Sequence, residues 1–303
     1  MGGRHPHSTG YDRDEGGMKE IVVLSGKGGT GKTTLVGSFA ALSQSKVLVD
    51  CDVDAADLHL LLSPSVKEER EFWSGHVASI DNKLCTRCGI CEAVCRFEAI
   101  KNLKVDPISC EGCGFCSQVC PEHCITMKER MAGHWFISET RYGPLVHAQL
   151  GVAGENSGKL VAVVRNAARA IAREQHSNYI ISDGPPGIGC PVISSLAGAN
   201  LALLVTEPTL SGMHDLERVI GVCQHFGVPV LVCINKYDLN EENTHHIEEY
   251  CYTQGVEIAS KIPYDNVVIE ALVRNLPVVE YVKNGVARQI EALWQTIARA
   301  LEA

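Results

Sequence analysis

The stretch GKGGTGKTT, Gly26 to Thr34, narrows what this chain can become more than any other. It satisfies Gly-x4-Gly-Lys-Thr directly after IVVLSG (Ile21 to Gly26), a short apolar run with β-branched residues that predicts a buried parallel strand, and before Thr33 to Leu42, which predicts a helix. In that setting successive backbone N–H groups converge on an anion at the positive end of a helix. The candidate nucleotide-binding set is Gly28, Gly29, Thr30, Gly31, Lys32, Thr33 and Thr34. Gly31 leaves room for a phosphate, Lys32 reaches the β and γ phosphates, and the Thr33 hydroxyl suits a Mg²⁺ shell. A glycine-rich turn without a nucleotide is the plain alternative.

Buried strands of the same kind are expected at Lys46 to Asp52, Tyr179 to Gly184, Leu201 to Glu207 and Val228 to Asn235, with helices such as Leu160 to Glu174 and Leu216 to Phe226 between them. This alternation predicts an α/β fold: a doubly wound, mostly parallel sheet covered on both faces.

The middle of the chain breaks that rhythm. Ile80 to Ile100 aligns with Val105 to Ile125 at an offset of 25 residues, pairing Asp81 with Asp106, Gly89 with Gly114 and four cysteines with four. Cys85, Cys88, Cys91, Cys95 and Cys110, Cys113, Cys116, Cys120 form two Cys-x2-Cys-x2-Cys-x3-Cys runs, the bacterial ferredoxin pattern for two 4Fe-4S clusters. In that pattern the fourth cysteine of each run serves the other cluster. One cluster is therefore assigned to Cys85, Cys88, Cys91 and Cys120, the other to Cys110, Cys113, Cys116 and Cys95. Arg96 stands where the first run would have its proline. Zinc is the runner-up metal, although structural zinc sites prefer cysteine pairs separated by a longer loop. Cys124 falls opposite Ala99 in the alignment, so a packing role is expected for it. Cys51, Cys190, Cys223, Cys233 and Cys251 are expected to act as small hydrophobes, with a bridging cluster in a dimer as the sharper alternative for Cys190.

Composition restricts the setting. The chain has 303 residues, fourteen of them cysteine, and a net charge of -9. No run approaches the roughly 18 apolar residues of a membrane helix, and the N-terminus lacks the apolar core of a secretory signal, so a cytoplasmic protein without stable membrane insertion is expected. In that compartment the cysteines point to metal or redox chemistry. The acidic total argues against nucleic acid, and two oxidised clusters with their thiolates bring the charge to roughly -13, which suits a partner surface of basic character. Residues 1–17 are expected to form a disordered leader, 18–75 and 132–303 the two parts of the nucleotide-binding domain, and 76–131 a small inserted α+β ferredoxin domain.

Lys27, a second lysine inside the glycine loop, makes the chain resemble the deviant Walker A ATPases of the MinD, ParA, Mrp and nitrogenase iron protein type. The resemblance implies that Lys27 reaches a partner's γ phosphate in trans, that Asp52 of DCDVDAAD orients the attacking water, that Asp183 of SDGPPG contacts Mg²⁺ through water, and that the Gly187 N–H lies near the γ phosphate. A solvated loop lysine and a helix-capping aspartate are the plain alternatives for Lys27 and Asp52. Asp50 and Asp54 stay ambiguous, and Ala56-Asp57 departs from the Pro-Asn of many relatives. Asn235 would bind adenine in this family, yet Asn235, Lys236 and Asp238 also spell the guanine-reading Asn-Lys-x-Asp; ATP is favoured over GTP. ENSGKLV (Glu155 to Val161) lacks the first glycine and is expected to be a loop entering a helix.

Together with EPTLSGMHDLERV (Glu207 to Val219), these motifs are similar to MinD-superfamily ATPases that carry an inserted ferredoxin domain. That implies an ATP-hydrolysing dimer, homodimeric or with a related ATPase, that couples nucleotide switching to electron transfer or metal-sulfur cluster assembly on a protein partner. Two other functions remain open: a MinD/ParA-like spatial organiser with redox-sensing clusters, and a plain ferredoxin-type electron carrier. An organiser would carry a basic amphipathic tail, whereas Asn284 to Ala303 is expected to pack on the sheet.

Overall fold

Parallel strands buried on both faces need helical crossovers between them, and apolar runs separated by amphipathic helices supply both. The computed structural model describes residues 17–151, 154 and 156–302; the expected leader lies outside these except for Gly17. The chain begins β1 (Lys19–Ser25), α1 (Lys32–Leu42), β2 (Lys46–Asp50), α2 (Leu58–Leu62) and β3 (Ser65–Ile80). A short segment follows, with α3 (Ile90–Ala93), β4 (Ile100–Lys101), β5 (Lys104–Val105) and α4 (Phe115–Gln118). Then come β6 (Ile125–Thr140), β7 (Gly143–Leu150), α5 (Ser157–Glu174), β8 (Tyr179–Pro186), α6 (Cys190–Leu196), β9 (Leu201–Thr206), α7 (Leu210–His225) and β10 (Val230–Asn235). The chain closes with α8 (Glu241–Thr253), β11 (Glu257–Ile262), α9 (Asn266–Val273), α10 (Val278–Tyr281) and α11 (Val286–Glu302).

The described residues form a nine-stranded sheet ordered β11-β10-β9-β1-β8-β2-β7-β6-β3. From β11 to β7 every pairing is parallel, while β6 and β3 continue the sheet antiparallel. The sheet is thus mostly parallel, as the alternation of strands and helices leads one to expect. Strand side chains alternate between two helical layers. Ile21 and Val23 join α1, α2 and α11 on one face, whereas Val22 and Leu24 join α6 and α7 on the other. Farther along that second face, α5 covers β2 and β7. The last helix, α11, sinks Ile290, Leu293, Trp294 and Ile297 into the first layer, with the Trp294 ring 5.4 Å from Phe39.

The strands β3 and β6 were not anticipated. They pair over almost their whole length as a long hairpin, from Ser65↔Glu139 to Ile80↔Ile125, and the expected boundaries at 76 and 131 fall inside them. Their sequences hide the period of two because Ser65 to Glu71 is exposed, so no core imposes alternation there. The cysteine-rich segment hangs from the end of this hairpin with its own small core, where Ile100 and Ile125 join Cys91, Cys116, Cys120 and Cys124.

Candidate functional site

At the ends of β1, β8 and β2 the sheet brings its polar residues together, as expected for ligand sites at the carboxyl ends of parallel strands. Register places Asp50 directly beside Asp183. Gly31 caps α1 with φ 95°, and a Cβ there would stand 2.5 Å from Asn235 Nδ2, so both conformation and space demand glycine. Lys32 follows as the first helical residue and is buried.

The Thr33 hydroxyl donates to Asp183 Oδ2 at 2.5 Å, while Asp183 Oδ1 is buried without a hydrogen-bond partner. Burial pushes the Asp183 carboxyl up to about 6, against the pull of Lys32 and of the Thr33 hydrogen bond. Asp50 is raised well above the usual carboxylate range, first by burial and then by Asp183. It is a turn residue: its two oxygens accept from the N–H groups of Asp52 and Leu58, each at 3.1 Å. That turn holds Asp52 half-buried at the site, with its carboxyl raised by burial and opposed by Lys32.

Two expected positions are engaged differently. Lys27 Nζ donates to Thr209 Oγ1 at 3.0 Å and Ser211 Oγ at 3.3 Å and pairs with Glu207 at 3.4 Å, so it is turned onto its own chain. Lys236 pairs with the same carboxylate at 2.5 Å. The Gly187 N–H, expected near a γ phosphate, donates to Ser25 O at 2.9 Å.

Asn235 Nδ2 donates to Thr30 O at 2.8 Å, at the rim of a cavity of about 180 Å³ that also touches Gly29, Gly31, Thr34 and the loop Pro263 to Asp265. Asp238 is tied to that loop, accepting from the Tyr264 N–H at 2.7 Å. Sequence reasoning missed Tyr264 and Asp265; the available signal was that they follow the end of a parallel strand, β11.

In the cysteine segment the two copies fold alike. Asp81 and Asp106 each use Oδ1 to accept an N–H two residues on, from Lys83 at 2.8 Å and Ile108 at 3.0 Å. Gly89 and Gly114 start α3 and α4 in the left-handed region. Cys95, Cys110, Cys113 and Cys116 line one cavity of about 230 Å³. Cys85, Cys88, Cys91 and Cys120 line a second of about 10 Å³, together with Cys124. Each cavity therefore collects three cysteines of one run and the fourth of the other. Cys124 is buried, as a packing residue should be, but its Sγ lies 3.4 Å from Cys120 Sγ. Among the described residues, no group of three or more His, Cys, Asp or Glu is arranged to hold a single metal ion.

Of the scattered cysteines, Cys51, Cys223, Cys233 and Cys251 are buried, and burial pushes the thiols of Cys223 and Cys233 up to about 12 and that of Cys251 up to about 11. Such thiols are inert. Cys190 is exposed at the start of α6. His245 and His246 lie on α8, and α5 begins at Ser157, within the Glu155 to Val161 stretch, of which Glu155 lies outside the described residues.

A glycine loop between β1 and α1, with Lys32, Thr33 and Asp183 converging at the ends of parallel strands, defines a P-loop NTPase site. The chain belongs to the CobQ/CobB/MinD/ParA nucleotide-binding domain family, which it matches over residues 21–278. It is 36% identical to an uncharacterized protein of Methanocaldococcus jannaschii over 75% of this chain and 81% of that one. It is 25% identical to the septum site-determining protein MinD of Thermotoga maritima over 91% of this chain and 87% of that one. Its fold is similar to that of the septum site-determining protein MinD of Pyrococcus horikoshii, solved with Mg-ADP, at a TM-score of 0.57 and 18% identity, over 92% of this chain and 96% of that one. Among the described residues no helix is long and apolar enough to cross a membrane.

Proposed function

We propose that this chain is an ATP-binding and ATP-hydrolysing switch of the MinD/ParA type that closes as a dimer on nucleotide. The observation that carries this reading is the convergence of Lys32, Thr33 and Asp183, with Asp183 Oδ1 buried and unpartnered. A buried lone oxygen beside a hydroxyl fits a hydrated divalent cation, held by Thr33 directly and by Asp183 through water. Bound there, Mg²⁺ would neutralise charge on the phosphate oxygens. Lys32 and the loop N–H groups of Gly28 to Thr34 would bind the phosphates, and Asp52, on its rigid turn, would orient the attacking water. Lys27 would leave Glu207 and Thr209 to reach a partner's nucleotide, and the Gly187 N–H would leave Ser25 O.

Asn235 and the neighbouring cavity are the candidate base site. Asp238 Oδ1 accepts from the Tyr264 N–H, an engagement that competes with guanine reading and so supports adenine. Lys32→Ala is expected to lower ATP hydrolysis by about 100-fold or more, the scale of losing one transition-state donor. Turnover equal to wild type, in a variant shown to be folded by circular dichroism, would overturn this reading.

Relatives named for a role are septum site-determining proteins, which favours a spatial organiser over an electron-delivery protein as the output of the switch. A second reading, in which the output is electron transfer or cluster assembly on a redox or cluster-accepting partner, rests on the cysteine cavities. Four thiols that do not converge on one point suit a 4Fe-4S cluster, in which each corner iron takes one thiolate, better than a single ion, and the cavity of about 230 Å³ also offers the space. The sets would be Cys85, Cys88, Cys91, Cys120 and Cys95, Cys110, Cys113, Cys116. Such clusters supply one-electron redox chemistry when bound. Iron counting and electron paramagnetic resonance on anaerobically purified protein, with and without ATP, separate the outcomes. A nucleotide-dependent spectrum supports the second reading, an unchanged one leaves the organiser, and iron-free protein removes the clusters altogether.

A further inference from the structure

The two copies of the cysteine repeat match closely enough that a difference in thiol content between them stands out. The Asp106 N–H donates to Ala99 O at 2.7 Å, and the Asp81 N–H donates to Cys124 O at 2.8 Å. Each acceptor stands four residues beyond the last cysteine of its own run, each is buried, and each lines the cavity that this cysteine completes. Ala99 and Cys124 are therefore equivalent positions in the repeat, each facing one of the two cavities. One presents a methyl group and the other a fifth thiol, 3.4 Å from Cys120 Sγ.

We propose that Cys124 is a spare fourth ligand, able to take the iron corner that Cys120 otherwise holds in the smaller cavity. The inference rests on the cluster reading given above. In the exchange the Cys120 sulfur–iron bond breaks and a Cys124 sulfur–iron bond forms. The Cys124 thiol proton goes to solvent and the departing Cys120 thiolate takes one up, so no electron moves and net charge is unchanged. One rotamer change moves a cysteine Sγ by about 3 Å, so a thiol that starts 3.4 Å from Cys120 Sγ comes within reach of the same iron corner. The larger cavity has no such reserve, because a methyl group cannot ligate. The two clusters thus differ in their tolerance to loss or oxidation of the fourth cysteine.

The test compares full-length proteins purified anaerobically, by iron and sulfide content and by electron paramagnetic resonance. Wild type is expected to carry about eight irons per chain, and Cys120→Ala to keep that content. Cys95→Ala and the double variant Cys120→Ala/Cys124→Ala are expected to lose about one iron each, because a corner without a thiolate is labile. A loss in Cys120→Ala equal to that in Cys95→Ala overturns the proposal. If Cys120→Ala does not fold, Cys95→Ala/Ala99→Cys decides: recovery of the lost iron supports the spare-ligand position, and no recovery overturns it. Iron-free wild type overturns the cluster reading itself, and so is distinct from a failure of this proposal alone.

Discussion

His147 shows how a single residue sets pH behaviour away from the nucleotide site. Its ring is buried in β7 against Phe136 at 5.0 Å and His59 at 5.9 Å, with Nε2 3.0 Å from Ser138 Oγ. Burial, followed by the neighbouring His59, pushes its pKa down to about 4. Unfolded histidine titrates near about 6.5, so between those values the unfolded chain binds the extra proton. The stabilisation is complete above about pH 6.5 and is lost as pH falls toward about 4, up to about 3 kcal/mol. His147→Phe, which keeps the stack, is expected to flatten much of that loss in urea unfolding compared at pH 7 and pH 4.5. An unchanged pH slope would count against His147 as its source.

At the scale of elements, the start of β1 is tied to α5 and α6 by one buried carboxylate. Glu20 accepts from Arg165 Nε at 2.7 Å and from Arg169 Nη2 at 2.7 Å, and Arg165 also donates to Ser194 O of α6. Removing Arg165 leaves the buried Glu20 with Arg169 as its one remaining mate, which costs up to about 3–5 kcal/mol, the loss for a buried pair broken outright. Arg165→Met is expected to lower stability by that order in denaturant unfolding, and Glu20→Gln/Arg165→Met by less than the sum of its parts. Additive losses would show that the pair is not coupled. This tie could not be read in advance, because 145 residues separate its ends. The glycine loop was legible because its strand, turn and helix are contiguous. β3 and β6 were not, since strands with an exposed stretch carry charges such as Lys67, Glu68 and Glu69 where a period of two would otherwise appear.

For the whole molecule, the cysteine segment has its own core and joins the sheet through the Ile80↔Ile125 end of the β3–β6 hairpin. Replacing residues 81–124 by a short glycine turn is expected to leave the nine-stranded sheet folded and ATP binding intact, as checked by circular dichroism and calorimetry. Loss of the fold would mean that the segment supports the sheet and is not simply carried by it.

The chain's local spacing was enough to place the glycine loop, the mostly parallel α/β pattern and the two cysteine runs, because each depends on neighbours a few residues apart. Only tertiary structure decided that Lys27 rests on Glu207, that Asp50 holds the turn bearing Asp52, that Tyr264 lines the cavity beside Asn235, and that Cys124 shares a cavity with Cys120. Those contacts arise from strand order and from packing between distant segments, where the side chain that is met depends on the whole path of the chain.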